Sequence, residues 1–371
     1  MIIAQLPTGD QLHKYMRCLV VPFQGKRKVM STSMHNGGYR EDLTAIYNHD
    51  VNPGVGRLDE HKYQDPDALK AFMENSLGLD YHKTANMATI VSIEDAVISS
   101  RSYDELSVTA VATASAELNA IRVGQSATSY EKRGEYTMLR PETINIMVFA
   151  NADMTPGCMA RTIVTTTEAK TAVLQELLAG STRSAGIATG TGTDNVMVVA
   201  NPESDNLLTY GGGHGKLGEL VGVTVMEAVR ASLEKHSGLS AKSQHSVFSR
   251  MARFGFDEES IIETYCKKES PQQIPLSRFM NYIHELSFKD ENVTLTSLFV
   301  HLLDQLSWGL ISAKEASYGG SLLLSNMSKA YGLDFDIIIS QGNTAAQCTS
   351  NMLESYTVAI IEIANRLEDM Q

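Results

Sequence analysis

An α/β fold, a mixed sheet with packed helices, followed by a mainly α-helical C-terminal region is what this sequence predicts, and three observations predict it. Short, nearly continuous apolar runs alternate with Gly-, Ser- and Thr-rich loops through the first two thirds of the chain. Two long segments within that stretch carry apolar residues at helical spacing. Beyond the KHSGLS stretch the pattern turns almost wholly helical. The division expected is an α/β domain over 1–235 and a helical accessory domain over 236–371.

The expected strands are RCLVVPF (17–23), KVMST (28–32), ELSVTAVATA (105–114), TINIMVFAN (143–151) and NVMVVAN (195–201). Apolar residues at nearly every position suit strands buried on both faces. Over 156–178, Met159, Ile163, Thr166, Val173, Leu174, Leu177 and Leu178 fall on one helical face, and Pro156 stands where a first-turn proline is tolerated. Over 216–234, Leu217, Leu220, Val221, Val225, Ala228 and Val229 recur at steps of three and four. Strand, helix and strand over 143–151, 157–178 and 195–201 make a crossover unit, hence an α/β layer arrangement. Helical spacing returns over 241–254, 258–268, 276–288, 294–308 and 344–368, with Asp257 as a cap and Gly255 as a stop.

Composition narrows the function. The 371 residues are 43% hydrophobic and 20% charged, as in ordinary soluble domains. A net charge of −12 disfavours nucleic acid and anionic membrane surfaces as partners. The N-terminal MIIAQLPTGD lacks a signal-peptide pattern, and no apolar run is long enough to span a bilayer, so a cytoplasmic protein is expected. The cysteines, Cys18, Cys158, Cys266 and Cys348, stand far apart and indicate neither a zinc knuckle nor a disulfide framework.

Four polar clusters carry the candidate chemistry. STSMHNGGYRED follows a strand and offers Asn36, Gly37 and Gly38 beside His35. Asn145 interrupts an apolar strand, where an amide is costly unless bonded. TTTEAKTA places Glu168 and Lys170 two apart on a helix, so they point to different faces. ATGTGTD presents Thr191, Gly192, Thr193 and Asp194 at a strand mouth, and YGGGHGKLGEL runs Gly213, His214 and Gly215 into a helix bearing Glu219. Glycines permit close approach and positive φ, and free N–H groups at a helix start favour an anion. Each cluster also has a plain reading: Asp194 capping a turn, glycines closing one, Glu168 on a solvated face. The G-x-G-x-x-G of Gly213, Gly215 and Gly218 lacks the following strand of a dinucleotide site. No G-x-S-x-G elbow and no compact metal-ligand spacing occur. A divalent metal would require His35, Glu168, Asp194 and His214 to converge from distant loops.

Taken in order, STSMHNGG, TANMAT, LSVTAVATA with LNAIRVG, PETINI, MARTIVTTTEAKTAVLQELLAG, ATGTGTDNVMVVANP and GGHGKLGELVG resemble the adenosylcobinamide amidohydrolase family. The resemblance covers roughly residues 28–235, and the helical tail resembles that of the family's longer members. It implies hydrolysis of the amide joining aminopropanol to the corrin ring of adenosylcobinamide, in corrinoid salvage for cobalamin synthesis. The adenosylated corrinoid is then substrate rather than cofactor, and a homo-oligomer is compatible with the sequence. On this reading Glu168 or Asp194 serves as base on water and His214 as proton shuttle, with Lys170 biasing a carboxylate. Backbone groups of 191–193 or 212–215 hold the oxyanion, and Asn36 and Asn145 fix amides of the substrate. The rivals are a corrinoid-binding module without turnover and a metal-dependent amidase.

Overall fold

A computed structural model describes residues 1–52, 58, 62–63, 65–127, 129–133, 143–267, 274–333 and 336–369. Pro141 and Glu142 of the PETINI motif lie outside the described residues, as does the last position of the helix expected over 258–268. The chain divides into two compact units, Met1–Ser240 and Ala241–Gln371. The boundary expected after residue 235 falls inside a helix that runs to Ser237 and closes on Gly238 at φ 73°, a left-handed stop that glycine adopts without strain.

The first unit begins with β1 (Ile2–Gln5), β2 (Gln11–Tyr15), β3 (Cys18–Pro22), β4 (Lys28–Ser31), β5 (Gly38–Arg40) and β6 (Ala45–Asp50). Helix α1 (Pro66–Ala71) and a π-helical turn over Phe72–Leu77 lead to β7 (Thr84–Thr89), β8 (Val97–Tyr103), β9 (Leu106–Ala114) and the short β10 (Ala120–Ile121). Then follow β11 (Ile144–Ala150), β12 (Asp153–Met154), α2 (Pro156–Glu176), β13 (Gly190–Thr191), β14 (Asn195–Ala200), β15 (Leu207–Leu208) and α3 (Lys216–Ser237).

Among the described residues these strands form two main sheets, in the orders β1-β2-β3-β6-β7 and β5-β4-β14-β11-β9-β8. Two pairs within them are parallel, β6 with β7 and β11 with β14. Side-chain alternation along each strand assigns the layers. On β11, Ile144, Ile146, Val148 and Ala150 pack with Val173 and Leu174 of α2 and with Val221, Val225 and Val229 of α3. Met147 and Phe149 point the other way, into a second core shared with Leu19, Ile46, Ala85 and Met87 of the five-stranded sheet. The far side of that sheet, with Cys18, Val20 and Tyr47, is covered by Leu69, Phe72 and Met73. The result is a four-layered α/β/β/α stack, which is why the inner strands read as unbroken apolar runs. Each fully buried Val, Leu, Ile or Phe in these layers contributes about 1.5–3 kcal/mol.

Several elements escaped the sequence pattern. β6 carries Asn48, His49 and Asp50 inside a fully buried strand. Each is stabilised by tertiary contacts that no local propensity reveals: Asn48 by Thr113, Asp50 by Arg17, and His49 by stacking on Phe72 with 4.6 Å between centroids.

The second unit is helical: α4 (Val247–Met251), α5 (Glu258–Lys267), α6 (Leu276–Ser287), α7 (Asp290–Ser307), α8 (Ala313–Lys329) and α9 (Ala345–Asp369). As expected, Gly255 stops a turn at φ 77° and Asp257 accepts from Ser260 N at 2.8 Å. Helix α8 was hidden by Gly319 and Gly320, poor helix formers whose presence is a packing demand. A Cβ on Gly320 would lie 2.9 Å from Ile339 and 3.1 Å from Met352. Because the first unit holds its own cores, a chain ending at Ser240 is expected to unfold in one cooperative thermal transition with native near-ultraviolet dichroism. Loss of that dichroism on truncation would show that its cores are incomplete.

Candidate active site

Strands β11 and β14 are parallel, whereas β4 and β9 run antiparallel to them. The starts of the first pair and the ends of the second therefore share one end of the six-stranded sheet. The loops 31–38, 115–121 and 190–194 collect there, and Thr32 N donates to Val196 O at 3.0 Å.

Asp194 is the centre of a clasp at this end. Its Oδ2 accepts from the buried Lys170 Nζ and from Thr191 N at 3.0 Å. Its Oδ1 accepts from the Thr191 hydroxyl at 2.6 Å and from Ile144 N at 3.0 Å. A carboxylate offers about four lone-pair directions, and all are taken. Asp194 thus ties its loop to α2 and to the first residue of β11. The general-base role expected of it is not supported, because no lone pair remains for a water proton. Lys170 is spent on the same pair. Gly190 is required by the clasp, since a Cβ there would lie 2.4 Å from Asp194 Oδ2 and 2.6 Å from Lys170 Nζ.

The expected oxyanion donors of the same loop are also engaged. Thr191 N serves Asp194, Gly192 N donates to Asn119 O at 3.3 Å, and Thr193 N donates to Thr191 Oγ1 at 3.4 Å. These N–H groups build the loop rather than await a ligand. Glu168 lies exposed on α2, away from the buried face that carries Lys170. It makes neither hydrogen bond nor ion pair among the described residues.

The glycine-rich loop lies at the opposite end of the sheet. Lys216, beginning α3, places its Nζ 4.3 Å above the Tyr103 ring, at the β8–β9 hairpin where β11 finishes. Asp194 is bonded where β11 starts, so the seven residues of that strand, about 20 Å, intervene. His214 and Gly213 are exposed there, and Glu219 pairs with Lys216 at 2.6 Å. Gly215 N donates to Gly212 O at 2.9 Å, and Thr165 Oγ1 to Gly211 O at 2.8 Å. A Cβ on Gly218 would stand 2.1 Å from Gly212 O, which makes this motif a tight joint between loop and helix. His214 therefore cannot shuttle protons for Asp194.

The HNGG turn, by contrast, sits at the Asp194 end and aims polar groups with care. Asn36 adopts φ 54°, a left-handed conformation that Asn tolerates better than most residues. Its Nδ2 donates to Tyr81 O at 2.8 Å and Thr84 O at 2.9 Å, and its Oδ1 accepts from Arg40 at 3.2 Å. A Cβ on Gly37 would overlap Ser33 O at 1.9 Å, and Gly38 takes φ 82°. The Ser33 hydroxyl lies between the carbonyls of His35 and Asn86. His35 is half-buried, with Nε2 2.8 Å from Tyr81 O and its ring centroid 4.3 Å from that of Tyr81. Burial lowers its pKa from 6.5, the Tyr81 carbonyl opposes that, and the charges of His82 and Arg40 lower it further.

Asn145 does not face this turn. Its Nδ2 donates to Asn48 Oδ1 at 2.8 Å and Ala88 O at 2.9 Å, while Asn48 reaches Thr113 at 2.9 Å, so the network stitches the two sheets together. Two motif residues stand out by position. His35 reads from the sequence as a plain surface histidine or, with distant partners, as a metal ligand. Asn86 of TANMAT is buried, donates to Tyr63 Oη, and lies beside the Tyr47 hydroxyl. An amide inside a short apolar strand was the signal that singled out Asn145, and it applied equally to Asn86. Among the described residues no three His, Cys, Asp or Glu side chains gather as metal ligands, so the convergence of His35, Glu168, Asp194 and His214 is not found.

Fold and site together define a four-layered α/β unit whose HNGG and ATGTGTD loops share one end of the six-stranded sheet. A family model described as adenosylcobinamide amidohydrolase matches residues 3–241, and the chain belongs to that family. An uncharacterized protein of Methanocaldococcus jannaschii is 33% identical over 238 residues, covering 61% of this chain and 89% of that protein. The PH0078 protein of Pyrococcus horikoshii, known from a crystal structure, aligns with a TM-score of 0.30 and 10% identity over 62% of this chain and 81% of its own. A likeness at that level defines neither fold nor function.

Proposed function

We propose that the first unit hydrolyses the amide joining aminopropanol to the corrin ring of adenosylcobinamide, yielding adenosylcobyric acid and aminopropanol for corrinoid salvage. The observation that carries this reading is the family match over residues 3–241, which coincides with the first compact unit. The chemistry of the HNGG end supports it. Amide hydrolysis requires a base for water and a proton for the departing nitrogen, and acid–base assistance contributes about 10²–10⁴ in rate. The half-buried imidazole of His35, held against the Tyr81 carbonyl, meets the first need. A reducing, cytoplasmic setting accords with Cys18, Cys158, Cys266 and Cys348 all being free thiols.

Incubation of the purified chain with adenosylcobinamide, followed by mass spectrometry, is expected to release adenosylcobyric acid and aminopropanol in equal amounts. Cobinamide retained on a folded protein without either product would instead identify a corrinoid-binding module.

A further inference from the structure

We infer that His35 is the general base that activates the hydrolytic water, and that Asn36 is the positioning residue that fixes its tautomer. The inference rests on the amide-hydrolysis reading above. Proton counting around Tyr81 O sets the tautomer. Asn36 Nδ2 has two hydrogens, and both are used, on Tyr81 O and Thr84 O. Its 2.9 Å contact with His35 Nε2 is therefore not a third donation. His35 Nε2 lies 2.8 Å from the same Tyr81 oxygen, a separation that two lone pairs would not share, so Nε2 carries the proton. The lone pair is left on Nδ1, which makes no hydrogen bond among the described residues. A ring anchored through one N–H and basic at the other nitrogen is the arrangement a general base requires.

The surrounding residues serve this geometry. Gly37 lets the turn close on Ser33, and Arg40 holds the Asn36 carbonyl while tied to Asp42 at 2.7 Å. The titratable and charged groups that face the ring are Tyr81 and His82, from the turn Tyr81–Lys83, and Arg40 from β5. In the reaction, water gives a proton to Nδ1 as its oxygen bonds to the amide carbon. Nδ1–H then passes that proton to the nitrogen as the C–N bond breaks. A carboxylic acid and a primary amine leave, and the imidazole returns neutral.

The test is kcat/KM for adenosylcobinamide against pH, for wild type, His35→Gln, His35→Ala and Asn36→Gly. The base works unprotonated, and its surroundings lower its pKa, so the wild-type rate should fall only below about pH 6.5. His35→Gln keeps a donor for Tyr81 O and should lose about 10²–10⁴ in kcat together with that acid limb. His35→Ala should regain rate on addition of imidazole, which a purely structural histidine would not allow. Asn36→Gly keeps the left-handed backbone and should lower kcat with KM little changed. His35→Gln that retains both kcat and the acid limb overturns the inference while leaving the activity standing. Wild type without turnover overturns the underlying reading instead. If His35→Gln fails to fold, a wild-type acid limb centred above 6.5 overturns the inference unaided.

Discussion

Asp194→Ala should destabilise the first unit by about 3–5 kcal/mol, the usual loss when one partner of a buried ion pair is removed. The variant strands Lys170 in a buried site and takes the acceptor from Ile144 N and from Thr191, whose N–H and hydroxyl both serve the carboxylate. The loop over 190–194 and the first residue of β11 lose their common anchor, so the effect should reach beyond the loop. Denaturant unfolding followed in the first unit measures it. Lys170→Met combined with Asp194→Leu should recover much of the loss, because no buried charge is then left unpaired. A change below about 0.5 kcal/mol for Asp194→Ala would mean that the clasp bears no load, leaving the carboxylate free for chemistry.

Gly37→Ala should reduce kcat/KM by about 10²-fold or more. The added methyl would sit 1.9 Å from the Ser33 carbonyl oxygen, a backbone atom that cannot swing aside as a side chain can. The turn must open, and displacement of a positioned group by about 1 Å is enough for a loss of that size. Gly222 in α3 is the matched control: a Cβ there meets nothing within 4 Å. Gly222→Ala should leave activity unchanged and stabilise the helix by about 0.5–1 kcal/mol. Equal activity in the two variants would detach the HNGG turn from the chemistry.

Much of the layer arrangement was legible in the sequence. The strands at 28–32, 105–114, 143–151 and 195–201 were marked by unbroken apolar runs because each lies between two cores, and α2 and α3 showed their buried faces. The first sheet was far less visible. β6 mixes Asn48, His49 and Asp50 into a buried strand, and β7 is only six residues with Asn86 at its middle. Their stability comes from partners in other strands, which spacing along the chain does not record.

The site was legible as a set of motifs but not as a geometry. Asp194 and His214 both stand in glycine-rich loops that read alike. Yet 188–194 leads into a strand, whereas 210–215 leads into the helix that follows it, and such loops lie at opposite ends of a layered α/β sheet. Connection order therefore held the answer that motif character concealed. The sequence suggests that Lys170 acts on a carboxylate without saying which, and the structure shows four donors, Lys170 among them, around Asp194. His35 was undervalued because a histidine beside glycines reads as surface. Its meaning depends on Tyr81, forty-six positions away in the chain.

The most direct measurement is kcat for adenosylcobinamide hydrolysis by His35→Ala and His214→Ala, side by side with wild type. If the chemistry occupies the HNGG end, His214→Ala turns over at the wild-type rate and His35→Ala loses at least about 10²-fold. An inactive His214→Ala beside an active His35→Ala would contradict the account and move the reaction to the glycine-rich loop at the far end of the sheet.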